Sequence, residues 1–324
     1  MGNQDFRSGR VGRRQFLIAS GGLAAAASAM PMTALATELP DVLAPWQAAP
    51  SIPLWPNGTP GGGFRRQPAD DTLRNVEMPT LHVFRPTTPN GRALLSIPGG
   101  AYRFVSIVNE GIDIARDMAA SGYTVFVLVY RLPGEGWAGR EDVPLQDAQR
   151  AIRLIRSLAG EMAFDPEQVY SVGFSAGGHL AATLATGFGE QVYAPRDAID
   201  RLSARPRATG LIYPVISLTA GVGHAESTFR LLGADPAMES ILRRSPDMHV
   251  SEDTPPAFFV HAIDDTAVPL ENSLLMMAAM RARKRPVEAH FFESGGHGFG
   301  AGVRGKPNGA WLDQFATWLE SHAA

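Results

Sequence analysis

The chain has 324 residues, 45% of them hydrophobic and 19% charged, with 29 Lys and Arg against 32 Asp and Glu for a formal net charge of −3. That balance suits a globular protein with a sizeable core, and no basic patch interleaved with aromatics stands out, which argues against a nucleic-acid partner. Cysteine is absent, so disulfides, thiolate metal ligands and a cysteine nucleophile are excluded together.

At the N-terminus, Gly12-Arg13-Arg14-Gln15-Phe16-Leu17 leads into a Gly- and Ala-rich apolar run from Phe16 to Met30, and Ala34-Leu35-Ala36 supplies a small-residue cleavage pattern. Together they predict a twin-arginine-type export signal over residues 1–36 and a periplasmic or secreted protein. The run is shorter than the roughly 20 residues of a comfortable membrane span. No stable membrane insertion is therefore expected after signal removal; an uncleaved N-terminal anchor is the alternative. Removing residues 1–36 takes away four Arg and one Asp and leaves 25 basic and 31 acidic residues, a net charge of −6.

Residues 37–79 are rich in Pro and Gly and carry little periodicity, so they are expected to form a surface-wrapping arm with turns at Leu54-Trp55-Pro56-Asn57-Gly58 and Pro60-Gly61-Gly62-Gly63. From residue 80 to 324 the pattern changes to one catalytic-sized α/β domain. Strands are predicted at Thr80–Phe84, Ala93–Ile97, Tyr123–Val129, Val169–Phe174, Thr209–Val215, Phe258–Ala262 and Glu288–Phe292. Helices are predicted near 109–121, 144–159, 175–186, 269–283 and 309–321. In the second of these, Ala148, Ile152 and Ile155 recur at helical spacing while Gln149, Arg153 and Arg156 face elsewhere. Strands alternating with helices imply a mostly parallel central sheet with helices on both faces. The connections at 131–143, 187–208 and 216–256 are long, and long connections at a sheet's carboxyl edge shape binding sites.

The chemistry concentrates at Gly173-Phe174-Ser175-Ala176-Gly177. An apolar strand precedes this G-x-S-x-G and a helix-compatible run follows, the strand–turn–helix context that gives the motif meaning. Such a turn lifts a serine above the sheet and points helix N-terminal N–H groups at developing negative charge. A serine hydroxyl needs a base, and the base needs a carboxylate. With this elbow the partners follow in the order Ser, Asp, His. The strand at 258–262 runs into Asp264 and Asp265, either of which could be the acid. The strand at 288–292 is followed by Gly295-Gly296-His297-Gly298-Phe299, a loop suited to carry the imidazole of His297. His179 is read as a packed or capping side chain and His261 as structural. His82, His224, His249, His290 and His322 lack the strand-end context. Oxyanion donors are expected from Ala176 and from Pro98-Gly99-Gly100-Ala101-Tyr102 after an early strand, with Gly100 and Ala101 the N–H groups concerned. The histidines form no metal-ligand cluster, and no dinucleotide-binding fingerprint follows a first strand, so neither a metal nor another cofactor is expected.

These residues, with Leu54-Trp55-Pro56, Arg74-Asn75-Val76, Glu110-Gly111, Tyr130-Arg131-Leu132-Pro133, Pro144-Leu145-Gln146-Asp147-Ala148, Tyr213-Pro214-Val215, Ser245-Pro246, Asp265-Thr266-Ala267-Val268-Pro269 and His297-Gly298-Phe299, resemble the bacterial α/β-hydrolase family of carbohydrate esterases. That family includes acetylxylan and feruloyl esterases and is related to the hormone-sensitive-lipase-like esterases. The resemblance runs from about Leu54 to the C-terminus and implies the α/β-hydrolase fold. It favours Asp265 over Asp264, because the family acid sits in an Asp-x-x-Val-Pro context. Its usual loop is Pro-Gly-Gly-Gly-Tyr, where this chain has Ala101 in place of the third Gly; an Ala N–H still donates if its backbone angles are ordinary. The resemblance implies hydrolysis of short acyl esters, acetyl groups on hemicellulose or sugars among them, through Ser175, His297 and Asp265. The alternatives are a general carboxylesterase or lipase, a peptidase on the same fold, and a non-catalytic binding protein on a hydrolase scaffold. Oligomeric state is not readable from the sequence.

Overall fold

The computed structural model describes residues 42–323 apart from 69 and 71; the export signal expected at residues 1–36 lies outside the described residues. Within them a single sheet holds eight strands, β1 (Ser51–Pro53), β2 (Thr80–Phe84), β3 (Ala93–Ile97), β4 (Thr124–Val129), β5 (Val169–Phe174), β6 (Thr209–Ile212), β7 (Ala257–Ala262) and β8 (Val287–Phe292). Their spatial order is β1-β2-β4-β3-β5-β6-β7-β8. β2 is antiparallel to both its neighbours, and the pairs from β4 onward are parallel. The helices are α1 (Ala44–Ala48), α2 (Asp113–Ala120), α3 (Val143–Ser157), α4 (Ala159–Met162), α5 (Ser175–Gly187), α6 (Ala225–Leu232), α7 (Met238–Arg243), α8 (Glu271–Ala282) and α9 (Trp311–Ser321).

The strand sequences explain the layering. β4 reads Thr-Val-Phe-Val-Leu-Val and is buried at every position, the pattern of a strand covered on both faces. Alternate side chains go to opposite faces. Leu95, Phe126 and Leu128 join one core with residues of α3, α5 and α8. Leu94, Val125 and Val127 join a second core with Ile114, Ala115 and Met118 of α2 and with Trp311, Phe315 and Trp318 of α9. Because β3, β5, β6, β7 and β8 are parallel and adjacent, the loops that leave their carboxyl ends gather at one edge of the sheet.

Two sequence expectations need correction, and the polar face of α3 finds its surroundings. The segment at 37–79 is not only a surface arm: its residues 51–53 form edge strand β1, and Leu54 and Trp55 are buried. The strand expected at Thr209–Val215 ends at Ile212, because Tyr213 stands at φ +36° and turns the chain out of the sheet. The polar face of α3 is not solvated. Gln149 and Arg150 are buried and Arg156 is nearly so. The 187–208 connection lies over that face and supplies acceptors, Gly187 and Glu190 carbonyls for Gln149 and the Asp197 and Asp200 carboxylates for Arg150. A helix can carry polar residues inward when each one finds its partner.

The arm is fastened by a second buried ion pair. Arg131, just after β4, and Asp147 of α3 are both fully buried, with Nη2 and Oδ1 2.7 Å apart. Asp147 also accepts from the Trp55 indole at 2.7 Å and the Arg131 backbone N–H at 2.9 Å, and Arg131 donates to the Pro60 carbonyl at 2.8 Å. Such a pair adds little over an apolar substitute, but removing one member strands the other charge in the core. Asp147→Ala should therefore cost about 3–5 kcal/mol in urea denaturation. A loss below about 1 kcal/mol would mean that water reaches Arg131 and that the arm is held by apolar contacts alone.

Candidate active site

Ser175 begins α5 directly after β5, at φ +53°. A non-glycine residue tolerates that angle only where its surroundings over-determine it. Here the surroundings are glycines. A Cβ on Gly177 would lie 2.1 Å from the Ile97 carbonyl oxygen, and one on Gly178 2.8 Å from Pro214 Cβ. α5 can thus sit against the ends of β3 and β6 only with these positions bare.

The three residues predicted for nucleophile, base and acid come together. His297 Nε2 is 2.8 Å from Ser175 Oγ, and His297 Nδ1 is 2.6 Å from Asp265 Oδ2. An ionised Asp265 fixes the tautomer: Nδ1–H donates to the carboxylate, leaving Nε2 to accept the serine proton. Asp265 Oδ1 accepts the Ala267 and Val268 N–H groups, each at 2.9 Å. Burial pushes this carboxyl up, but hydrogen bonds from His261, His297 and the Val268 N–H outweigh it and hold the group well below the usual carboxylate range.

Asp264 is exposed and points elsewhere. Its Oδ1 accepts the Gly295 and Gly296 N–H groups at 2.9 and 2.8 Å, which holds the start of the loop that carries His297. His261 is fully buried. Its Nε2 faces the Val268 carbonyl at 3.0 Å and Asp265 Oδ2 at 3.3 Å, and its Nδ1 faces the Ser273 hydroxyl at 2.8 Å. Nε2 is therefore the protonated nitrogen, a second donor on the acid. His179 is buried between the Tyr102 hydroxyl at 2.8 Å and the Arg244 carbonyl at 2.7 Å, and burial lowers it to about 4. It is a neutral strut between the loop after β3 and the end of α7.

That loop carries the expected oxyanion donors. Gly100, Ala101 and Tyr102 have φ of +119°, +54° and +58°, so Ala101 does not have ordinary backbone angles. Its left-handed conformation costs about 1–2 kcal/mol. Neither the Gly100 nor the Ala101 N–H donates to a protein acceptor among the described residues. Gly99 packs the loop onto the nucleophile, since a Cβ there would lie 2.9 Å from Ser175 Cβ. Ala176 lies in the first turn of α5, where N–H groups have no carbonyl four residues back. Gly99 thus sets a loop with unpartnered N–H groups against the start of α5.

Sequence reasoning gave no role to Glu110, Asn109 or Tyr213. Glu110 is buried and its oxygens accept from the Gly99 N–H and the Tyr213 hydroxyl. Burial raises its carboxyl, against the pull of those two donors. The available signal was a charged residue inside the apolar run Ile107-Val108-Asn109-Glu110-Gly111-Ile112. Clefts of about 590 and 800 Å³ lie elsewhere on the surface, and neither is lined by Ser175, Asp265 or His297. The chemistry, not the size of a hollow, identifies the site.

The chain resembles known proteins in sequence and in fold. The profile of the BD-FAE family matches residues 81–280. The chain is 33% identical over 245 residues to an acetylxylan esterase of Xylanibacter ruminicola, covering 74% of this chain and 47% of that protein. It thus spans less than half the length of that curated relative. Among solved structures, it is similar to an acetyl ester-xyloside bifunctional hydrolase from Caldicellulosiruptor lactoaceticus, with a TM-score of 0.74, 34% identity, and 84% of this chain and 96% of that one covered. A thermophilic esterase from Thermogutta terrifontis, solved with propionate bound, gives a TM-score of 0.62 at 26% identity over 82% of this chain and 95% of its own.

The different partners of the two aspartates give a test. Asp265→Asn puts an amide against His297 and favours the wrong tautomer, so labelling of Ser175 by a fluorophosphonate should slow by at least about a hundredfold. Asp264→Asn keeps an oxygen for Gly295 and Gly296, and its labelling should stay within about tenfold of the parent. A larger loss from Asp264→Asn would reverse the assignment of the acid.

Proposed function

The chain belongs to the BD-FAE family and has the α/β-hydrolase fold, and from that footing we propose that it is a carboxylic ester hydrolase acting through Ser175, His297 and Asp265. The observation that carries the reading is the hydrogen-bonded chain from Ser175 Oγ through His297 to Asp265, at 2.8 and 2.6 Å. In the proposed reaction His297 Nε2 takes the Ser175 proton as Oγ bonds to the ester carbonyl carbon. The carbonyl oxygen becomes an oxyanion beside the Ala176, Gly100 and Ala101 N–H groups. His297 then gives its proton to the departing alkoxide, leaving an acyl-serine. Water, deprotonated by His297, attacks that acyl group, and the acid leaves with Ser175 restored. Asp265 stays ionised and balances the imidazolium. Ser175→Ala should abolish hydrolysis of p-nitrophenyl acetate while the protein stays folded by circular dichroism. Activity near that of the parent, in a sample free of other esterases, would overturn the reading.

We propose short acyl esters as the substrates, with acetyl groups on hemicellulose or sugars the favoured class. The relatives' names support an acetyl ester on a xylan or xyloside for those proteins. The chain's own support is the 216–256 segment. It carries α6 and α7, tied down by polar links: Arg243 and Arg244 pair with Asp142 and Glu190, and Arg140 donates to the Phe229 and Arg230 carbonyls. A lid for long acyl chains needs a continuous apolar face toward the site. Each methylene that finds apolar burial contributes about 0.8 kcal/mol, and octanoate has six more than acetate. An open apolar tunnel would therefore favour octanoate; a closed pocket reverses the order, and with a common leaving group acetate should exceed octanoate in kcat/KM by steric exclusion. A clear octanoate preference would promote the lipase alternative. Acetylated xylan and acetylated small sugars, compared side by side, would identify the alcohol.

We also propose export by the twin-arginine route from the residue 1–36 sequence; no helix among the described residues is long and apolar enough to cross a membrane. That route reads arginine rather than charge. Replacing Arg13 and Arg14 with Lys should leave the precursor in the cytoplasm, and undiminished periplasmic protein would point to another route.

A further inference from the structure

A buried carboxylate outside the Ser175–His297–Asp265 chain joins the two loops on either side of it. Glu110 lies in a π-helical turn, Val108–Ile112, that leads into α2, and is 4% exposed. Turns of this kind are rare and mark functional sites more often than chance. Its Oε2 accepts the Gly99 N–H at 2.8 Å and its Oε1 the Tyr213 hydroxyl at 2.9 Å. Gly99 directly precedes the bare N–H groups of the oxyanion loop. Tyr213 reaches the other loop: its hydroxyl accepts the Gly300 N–H at 3.0 Å, and its ring stands edge-on to the His297 imidazole with centroids 5.0 Å apart. Neighbouring Asn109 donates to the Gly298 carbonyl at 3.0 Å. A Cβ on Gly300 would lie 2.7 Å from the Asn109 carbonyl oxygen, so the turn and the histidine loop are in closed contact.

The charge of this group has one counterpart. Glu110 makes no ion pair with Lys or Arg among the described residues. The titratable groups facing it are Tyr213, Tyr130 and His297. Burial holds both phenols protonated, so only His297 can face Glu110 as a cation. His297 in turn faces Asp265 and also His224, whose Nδ1 accepts the Ser227 N–H and which burial keeps neutral. The Tyr213 hydroxyl already accepts from Gly300, so its own proton is free for Glu110. Burial raises this carboxyl, but the Gly99, Tyr213 and Ser106 donors and the facing His297 oppose it, and donors on both oxygens fit the ionised form.

We propose that Glu110 is a positioning residue of the hydrolytic site, its carboxylate tying the oxyanion loop to the histidine loop and favouring the imidazolium that forms as Ser175 loses its proton. This rests on the ester-hydrolase reading above. A glutamine of the same shape removes the charge and turns an amide N–H₂ toward one of the two donors. It breaks one tie and takes away the counter-charge.

The test compares Ser175→Ala, Glu110→Gln and Tyr213→Phe on p-nitrophenyl acetate across pH. Activity in Ser175→Ala would sink the hydrolase reading itself and be recognised as such. With that control inactive, Glu110→Gln should lower kcat at least about tenfold while KM changes less than about threefold. The acidic limb of its kcat/KM profile should move to lower pH by about half a unit or more, because a lost negative charge makes the imidazolium less favourable. A purely structural role would not move that limb. An unmoved limb, or a kcat within about twofold of the parent, overturns the proposal. Tyr213→Phe keeps Glu110 but removes its Tyr213 donor together with the tie to Gly300, so it should lower kcat at least about fivefold with a smaller displacement of the limb. Should Glu110→Gln fail to fold, Tyr213→Phe carries the test, and a kcat within about twofold there is the overturning result.

Discussion

The positive φ of Ser175 is the constraint around which the carboxyl edge of the sheet is arranged. A serine at +53° is strained by about 1–2 kcal/mol, and the strain persists because α5 is wedged against two strand ends at once. Gly177 touches the Ile97 and Pro98 carbonyls, and Gly178 touches Pro214. The same wedge places the loop after β3 on Ser175, since β3 and β5 are neighbours. The strand order then does the rest. β6 leads into Tyr213, β7 into the two aspartates and β8 into the histidine loop, each one strand further along. A strained residue of this kind fixes not only its own side chain but the spacing of every group that must meet it.

Electrostatics accounts for what the wedge leaves undetermined. Two buried carboxylates act on His297, one in contact and one through its charge, and they have different partners. Asp265 is held ionised by backbone N–H groups and by His261, a donor that burial alone would not have explained. Glu110 takes its donors from the oxyanion loop and from Tyr213. Burying a charge is costly unless hydrogen bonds replace its water, and each carboxylate has them on both oxygens. In a medium less polar than water these interactions act at greater strength than they would at the surface. The imidazole edge stays partly open, with the His297 side chain 25% exposed, which leaves a path for the substrate.

How much of this was legible in the sequence follows from the range of each interaction. The elbow was legible because it is local: five residues between a strand and a helix encode strand end, turn and helix start. Asp265 and His297 were legible by chain order and family context, each at the end of an apolar strand. Glu110 and Tyr213 were not, because their meaning lies in contacts across 103 and 87 positions, Glu110 to Tyr213 and Tyr213 to Gly300. Edge strand β1 is three residues long and one of them is proline, too short for alternation to register. The polar face of α3 was open for a related reason. Periodicity turns Gln149 and Arg156 away from the apolar stripe without saying what they meet, and only the 187–208 connection and the Pro166 carbonyl show that they are covered.

The histidine loop brings these arguments together. Gly296, Gly298 and Gly300 all stand at positive φ, so the path that delivers His297 to Ser175 is open mainly to glycine, and glycine is the residue that loses most freedom on ordering. A loop built this way is accurate only if it is anchored densely. It is held at successive points: Gly295 and Gly296 by Asp264, the imidazole by Asp265, Gly298 by Asn109, and Gly300 by Tyr213 through its N–H and by Trp311 through its carbonyl at 3.0 Å. The anchors come from the end of β7, from the π-helical turn before α2, from the end of β6 and from α9. Adjacent aspartates therefore divide one task. Asp264 sets where the loop begins and Asp265 sets where the imidazole points, and a single strand end determines both. Precision at His297 is a property of the whole carboxyl edge, which is why its supporting residues are scattered through the sequence while the turn that presents Ser175 is written in contiguous ones.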